Sequence, residues 1–221
     1  HLAACTGENV PSRAENAYIE QTFDAFAESF DAKLSKLEYR APQLIANKVH
    51  SLTDQPEKNL AILDAGCGTG LCGPLIAVYA RELIGVDLSG GMLEKARARN
   101  VYSELIKTEL TAYIESQQDR FDFIISADTL VYFGALDAVF KASRQALSKA
   151  NPGARLIFTV EAISDCSDGT DFCIHPNGRY SHAEGYLKRT LADSGFTKVD
   201  LEPVLLRSEG GSPVHGFLVC C

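Results

Sequence analysis

The sequence predicts an α/β fold, a doubly wound and mostly parallel sheet with helices on both faces. Three observations carry this. Short apolar runs alternate with helix-length segments between Leu60 and Val160, the pattern of strands joined by crossover helices. A glycine-rich turn, Asp64-Ala65-Gly66-Cys67-Gly68-Thr69-Gly70, follows the first apolar run. Two strand-like runs at the end of the chain flank Glu209-Gly210-Gly211-Ser212, a hairpin signal that turns the last strand antiparallel.

Taken in order, residues 1–17 are small, polar and weakly patterned, and read as a linker or frayed terminus. Residues 18–221 read as one domain, a size at which a single core is well buried. A helical rhythm starts at Tyr18, with Phe23, Phe26 and Phe30 spaced by three and four. A second helical stretch, Tyr39 to Leu52, sets Leu44, Ile45 and Val49 on one face. These N-terminal helices (18–52) are expected to act as a lid, with the polar segment 53–59 as the joint before the core at 60–221. Strands are expected at Leu60–Leu63, Leu83–Val86, Glu104–Ile106, Phe121–Ile125 and Arg155–Val160. Helices are expected around Leu75–Tyr79, over Gly91–Arg99 and along the stripe Leu136, Val139, Phe140, Leu147. Val199–Leu206 and Val214–Cys220 form the closing hairpin.

Composition excludes several classes. The 21 basic residues are outnumbered by 29 acidic ones, for a net charge of −8. A nucleic-acid partner needs the opposite balance to neutralise phosphates. No apolar run reaches the ~20 residues of a membrane span, and no signal-peptide pattern opens the chain, so the reading is cytoplasmic. A first residue of His rather than Met reads as a processed chain or an excised fragment. Seven cysteines without a CxxC pair read as reduced thiols. Cys166, Cys173, His175 and His182 match no structural zinc spacing, and Asp165, Asp168 and Asp171 lack the ligand alternation of a calcium loop. No metal site is expected.

The glycine turn is the sharpest signal. It sits between a strand and a helix, where bare backbone permits a tight turn and the close approach of a ligand. It is not the dinucleotide fingerprint, because Leu71 stands where that pattern needs Gly or Ala. The spacing is G-x-G-x-G with Asp64 two residues ahead. Asp87, in Gly85-Val86-Asp87-Leu88-Ser89, ends the next strand, about 20 residues on, where a carboxylate can accept both hydroxyls of a ribose.

The run LDAGCGTG…GVDLSGGML resembles the class I S-adenosylmethionine (SAM) dependent methyltransferases. The resemblance implies a Rossmann-like sheet of strand order 3-2-1-4-5-7-6, SAM as cofactor and S-adenosylhomocysteine as product. It also implies a cofactor site in which Gly66, Cys67, Gly68 and Gly70 lie against SAM and Asp64 contacts or orients the methionine end. Asp87 would hold the ribose, Leu88 and Met92 would flank the adenine, and Glu109, beside Leu110, would meet the adenine amine. The proline usual after the serine is replaced by Gly90 and Gly91. The segments YIEQTFDAFAESFD, YRAPQLI, VYSEL, DTLVYFG, GRYSHAEGYL and VLLRSEGGSPVHGFLV resemble a narrower group, predicted methyltransferases found C-terminal to tetratricopeptide repeats. Residues 1–7 resemble the junction after such repeats.

Methyl transfer mainly requires alignment of the two partners in a dry pocket, and a general base is optional. Candidates for the acceptor side follow the fourth and fifth strands: Asp128, Tyr132 and Glu161. Asp128 is also expected to line the methionine end of SAM. Arg179, Tyr180 and His182 gather a guanidinium, a phenol and an imidazole within four residues. Read as catalytic with Asp128, they suit an acceptor carrying a carboxylate or phosphate, with His182 as base. The structural alternative has Ser181 or His182 starting the next helix. Tyr39 and Arg40 are expected to assist cofactor binding, Arg40 by pairing with the methionine carboxylate. The reading is a methyltransferase acting on an oxygen or nitrogen of a small molecule. A protein acceptor and a non-catalytic SAM-binding module are the alternatives.

Overall fold

A computed structural model describes residues 10–53, 56–164 and 169–221. Three helices come first: α1 (Asn16–Phe26), α2 (Phe30–Lys36) and α3 (Ala41–Leu52). The α/β core follows as β1 (Leu60–Ala65), α4 (Gly73–Ile76), β2 (Ala80–Asp87), α5 (Gly90–Arg97), β3 (Glu104–Lys107), α6 (Leu110–Glu115), β4 (Phe123–Ser126), a 3-10 turn (Leu130–Tyr132), α7 (Asp137–Ala146) and β5 (Arg155–Ala162). The chain then forms β6 (Phe172–Ile174), β7 (Tyr180–His182), α8 (Glu184–Asp193), β8 (Asp200–Glu209) and β9 (Ser212–Cys220).

Strands β3, β2, β1, β4 and β5 run parallel in that spatial order. β9 pairs antiparallel with β5, from Ile157↔Cys220 to Glu161↔Gly216, and β8 pairs antiparallel with β9. With the closing hairpin counted as the sixth and seventh strands, this is the expected order 3-2-1-4-5-7-6. Gly210 and Gly211 both have positive φ, 58° and 82°, so the hairpin closes on the mirror-image turn that matches strand twist. The core lies on both faces of the sheet. On one, Ile45 and Val49 of α3 pack with Ile62, Leu83, Phe123, Ile125 and Ile157. On the other, Ile114, Val139, Phe140, Leu187 and Leu191 cover Leu63, Ile84, Ile124 and Phe158.

Four local expectations change. The β6–β7 hairpin was not legible: β7 pairs with the last residues of β5, Glu161↔Ser181 and Ala162↔His182. Ser181 and His182 therefore belong to a buried strand, and α8 starts at Glu184 behind Ala183. α4 is a single turn rather than a helix reaching Tyr79. Residues 11–14 are not frayed. Ser12 accepts the Gly134 and Ala135 amides, and Ala14 donates to the Tyr132 carbonyl, so the segment is strapped along the 3-10 turn; residues 1–9 lie outside the described residues.

Residues 54 and 55 of the expected joint at 53–59 lie outside the described residues. α3 is core, and the α2–α3 junction is sewn to β8 by Arg40 N–H to the Leu206 carbonyl (2.9 Å) and Ser208 N–H to the Leu37 carbonyl (2.7 Å). Those contacts fall at a bulge, a register shift between Leu205 and Arg207. Only α1 and α2 lie outboard of the junction. Cys67, Cys72, Cys220 and Cys221 are free thiols, whereas Cys173 is disulfide-bonded, contrary to the expectation of reduced thiols throughout. Cys5, Cys166, Asp165 and Asp168 lie outside the described residues. Among the described residues no helix is long and apolar enough to cross a membrane.

Candidate cofactor and acceptor cleft

A cleft opens at the carboxyl ends of β1, β2 and β4, where open parallel sheets bind ligands. Its floor is the glycine loop, and its three glycines answer three different demands. Gly68 has φ +54°, faces the cleft, and a Cβ there would meet nothing within 4 Å. It is the cradle a ligand can fill. A Cβ on Gly66 would lie 2.2 Å from Thr129 Cγ2, and one on Gly70 would lie 2.9 Å from the Tyr102 ring. Those two glycines serve packing between loop and neighbours.

Asp87 is fixed beside this cradle. Its Oδ2 accepts the Gly68 amide and its Oδ1 accepts the Ser89 amide, both at 2.9 Å. Burial raises its pKa, against the lowering effect of these amide bonds. Asp64, at the end of β1, is 1% exposed and also lines the cleft. Burial pushes its carboxyl up to about 7, while a hydrogen bond from Tyr102 Oη (2.7 Å) works in the opposite direction and Asp87 adds to the rise. Leu88 and Met92 form an apolar wall next to Asp87, with Leu110 and Glu109 beyond them. Glu109 caps α6, accepting the Thr111 and Ala112 amides, and it also meets Arg13 of the strap at 3.1 Å.

The opposite wall comes from the N-terminal helices: Ile19 and Phe23 of α1, Phe30 and Leu34 of α2, with Tyr39 behind them. Phe23 packs edge-on against Phe30 and Tyr132, at 6.0 and 5.5 Å between ring centres. At the far end, Asp128, with φ +56°, lines the cleft beside Arg179. Arg179 donates to Asp128 (3.1 Å) and Glu161 (3.2 Å) and lies over the Tyr132 ring. Beneath it, Arg207 is 1% exposed and reaches Glu161 (2.6 Å), Asp128 (3.5 Å) and Glu209 (3.0 Å). Burial opposes the charge on both guanidiniums, but Asp128 and Glu161 hold both above the ordinary arginine value.

Of the residues singled out from the sequence, Tyr39, Asp64, Gly66, Cys67, Gly68, Asp87, Leu88, Met92, Glu109, Leu110, Asp128 and Arg179 are brought to this one cleft, with Tyr132. Four are not. Gly70 turns into the packing under the loop, and Arg40 is exposed at the start of α3, where its amide binds β8. Tyr180 is buried and donates to the Pro11 carbonyl (3.0 Å). His182 is buried and shares its Nε2–H between the carbonyls of Phe133 (2.9 Å) and Gly134 (3.1 Å). Burial lowers its pKa to about 4. Its imidazole holds the 3-10 segment in place rather than facing a ligand. Sequence reasoning missed Arg207, Tyr102, Thr129 and Arg13. Arg207 interrupts an apolar strand pattern and reads as an outward residue until the bulge is known. Tyr102 has a faint signal, an aromatic just before a strand in a stretch where Gly70, Gly73 and Gly85 are clustered.

Comparison with known proteins agrees with this architecture. Residues 62–150 match the methyltransferase domain family. The human methyltransferase-like protein 27 is 32% identical over 123 residues, 55% of this chain and 49% of that protein. A ubiquinone biosynthesis O-methyltransferase of Chelativorans is 26% identical over 161 residues, 66% of this chain and 62% of that protein. The chain thus spans less than two thirds of either relative. Among solved structures, the 1,6-didemethyltoxoflavin-N1-methyltransferase of Burkholderia thailandensis, bound to its namesake compound and S-adenosylhomocysteine, superposes with a TM-score of 0.67. It covers 96% of this chain and 91% of that one, at 18% identity. Residues 62–150 thus match a methyltransferase domain, and the chain has the fold of the SAM-dependent methyltransferases, a class whose cofactor is SAM.

Proposed function

We propose that the protein is an enzyme that moves the methyl group of SAM to an oxygen or nitrogen of a small, uncharged and largely apolar molecule. The observation that carries this is the division of the cleft. One half is a polar cradle built from Gly68, Asp87 and Asp64, and the other is a wall of aromatic side chains closed by an internally neutralised ion cluster.

The polar half suits a nucleoside with an amino-acid tail. Asp87 keeps lone pairs for two ribose hydroxyls after accepting its two amides, and Gly68 leaves room for the ligand to approach the backbone. SAM supplies an already activated methyl group on a sulfonium, so the chain has to bind, align and exclude water. Phe23, Phe30 and Tyr132 offer ring faces suited to a positively charged sulfur and to a flat acceptor. Asp128 and Glu161 balance Arg179 and Arg207 within the cluster. A guanidinium with two carboxylates is a poor receptor for a third anion, so an acceptor bearing a carboxylate or phosphate is disfavoured. With His182 turned away, Tyr132 held protonated by burial and Asp128 ion-paired, the acceptor atom must itself be nucleophilic or lose its proton to water. The name of the Chelativorans relative, a ubiquinone biosynthesis O-methyltransferase, supports a small-molecule acceptor.

The test has two stages. Calorimetry with SAM, S-adenosylhomocysteine and NAD should give binding of the first two only. Incubation with methyl-labelled SAM and fractionated metabolites should place label in neutral, organic-extractable material. NAD binding without SAM binding would remove the reading. Label confined to acidic metabolites or to added proteins would overturn the acceptor class.

A further inference from the structure

Tyr102 lies in the loop between α5 and β3, and its ring is seated beneath the glycine loop in a niche that three glycines make. A Cβ on Gly70, Gly73 or Gly85 would stand 2.9, 2.8 and 3.0 Å from ring carbons of Tyr102. At Gly70 and Gly73 the ring is the nearest obstacle, whereas at Gly85 Leu105 Cδ2 (2.7 Å) and Cys67 Sγ (2.9 Å) are nearer still. The hydroxyl at the end of this ring donates to Asp64 Oδ2 at 2.7 Å.

Asp64 is the group that needs explaining. It is a carboxylate 1% exposed at the wall of the cleft. The groups facing it are Tyr102 from the β3 side, Asp87 from β2, Cys67 from the glycine loop and Cys72 ahead of α4. Two are neutral thiols, one is a like charge, and Tyr102 supplies a single neutral donor. No cation is among them. A buried carboxylate without a cation is costly unless a ligand brings one.

We propose that Tyr102 is a positioning residue of the cofactor site, held in its three-glycine niche so that its hydroxyl orients the Asp64 carboxylate to receive the ammonium group of the methionine portion of SAM. This rests on the reading of the cleft as a SAM site. It assigns the glycines at 70 and 73 a common purpose, room for one ring, distinct from the ligand-facing purpose of Gly68, while Gly85 makes room for Leu105 and Cys67 as well as the ring. It also makes ionisation of Asp64 a condition of cofactor binding. Burial and Asp87 favour the protonated acid, and the Tyr102 hydroxyl opposes both.

The experiment is SAM calorimetry from about pH 5.5 to 8.5 on the parent, Tyr102→Phe and Asp64→Asn. Tyr102→Phe keeps the ring and its packing. In the parent, affinity should rise with pH along an acid limb centred near the Asp64 value of about 7. In Tyr102→Phe that limb should move up by about one pH unit, the worth of one hydrogen bond to a charged group. In Asp64→Asn it should vanish. Protein labelled with [13Cζ]tyrosine supplies a readout without altering Tyr102. One tyrosine resonance should titrate with the same midpoint, disappear from the titration in Asp64→Asn, and become insensitive to pH when SAM is bound. An unmoved limb in a folded Tyr102→Phe, or the absence of any titrating tyrosine resonance, would overturn the inference while leaving the SAM site standing. Failure of the parent to bind SAM at any pH would instead overturn the SAM reading, and this inference with it.

Discussion

Asp87 and Gly68 are joined by a hydrogen bond of 2.9 Å and both face the cleft, so each can be removed to different effect. Asp87→Ala should weaken SAM binding by about 1.5–3 kcal/mol, the scale of charge-assisted hydrogen bonds, while the protein stays folded; unchanged affinity in calorimetry would take Asp87 off the ribose. Gly68→Ala should lower stability by only about 1 kcal/mol, the penalty of a left-handed alanine, yet weaken SAM binding, because the methyl group enters the ligand's space. Gly66→Ala should do the reverse. Its Cβ would fall 2.2 Å from Thr129 Cγ2, so denaturant unfolding should show the larger loss. At this scale the sequence was informative where chemistry and spacing coincide: Asp64, the glycine loop and Asp87 are local in the chain and local in space. It was uninformative for Arg207 and His182. Their placement depends on a bulge and on a strand pairing that link residues far apart, and an arginine or histidine in isolation carries no sign of which way it points.

At the scale of elements, α1 and α2 are fastened over the cofactor half by a row of acids. Glu20 meets Lys107, Glu28 meets Lys95 and Asp31 meets Arg99, at 2.6–2.7 Å. Asp24 accepts the Ser89 hydroxyl and the Gly91 amide at the start of α5. Glu20 and Asp24, four apart, share one face of α1, Glu28 follows in the α1–α2 turn and Asp31 stands in the first turn of α2, all towards α5, the residues after it and β3. Exposed pairs are individually weak and are screened by salt. Amide exchange over 16–36 should therefore quicken when ionic strength rises from about 0.05 to 0.5 M, and slow when SAM is added. Exchange over α3 should respond to neither, since Ile45 and Val49 are fully buried and the junction is tied to β8. Equal responses of the three helices would return the hinge to 53–59, where the sequence alone placed it. That placement followed proline and polar composition. The ties between the α2–α3 junction and β8 are backbone hydrogen bonds, which composition does not reveal.

For the molecule as a whole, the buried His182 links stability to pH. Its pKa in the folded state is about 4, below the ordinary histidine value of 6.5, so the unfolded chain takes up the proton first. Stability from this group is complete above pH 6.5 and is lost as pH falls toward 4, by on the order of 3 kcal/mol. Asp64, raised to about 7, slopes the opposite way over part of that range, so the comparison has to be between variant and parent. His182→Gln keeps a donor for the Phe133 and Gly134 carbonyls without titrating, and its urea midpoint should fall less than the parent's between pH 6.5 and 4. The ion cluster sets a second limit. Arg207→Met leaves Asp128 and Glu161 buried with Arg179 alone, and should cost about 3 kcal/mol, the lower end for breaking a buried pair; a loss below about 1 kcal/mol would mean the cluster is hydrated. The parallel sheet and closing hairpin were legible because alternating apolar runs and a two-glycine turn are repeated signals. The β6–β7 hairpin was not, being two three-residue strands whose stability comes from pairing with β5. The bulge in β8 has an evolutionary corollary. Leu206 is the extra residue in the ladder with β9, and its carbonyl anchors Arg40 while its neighbour Arg207 is delivered to Glu161 in the ion cluster beneath Arg179. Loss of a single codon there would slide Arg207 out of phase and cut the α2–α3 tether in the same event. Length in this strand should thus be under tighter selection than residue identity, so that drift in this region proceeds by substitution and not by insertion or deletion.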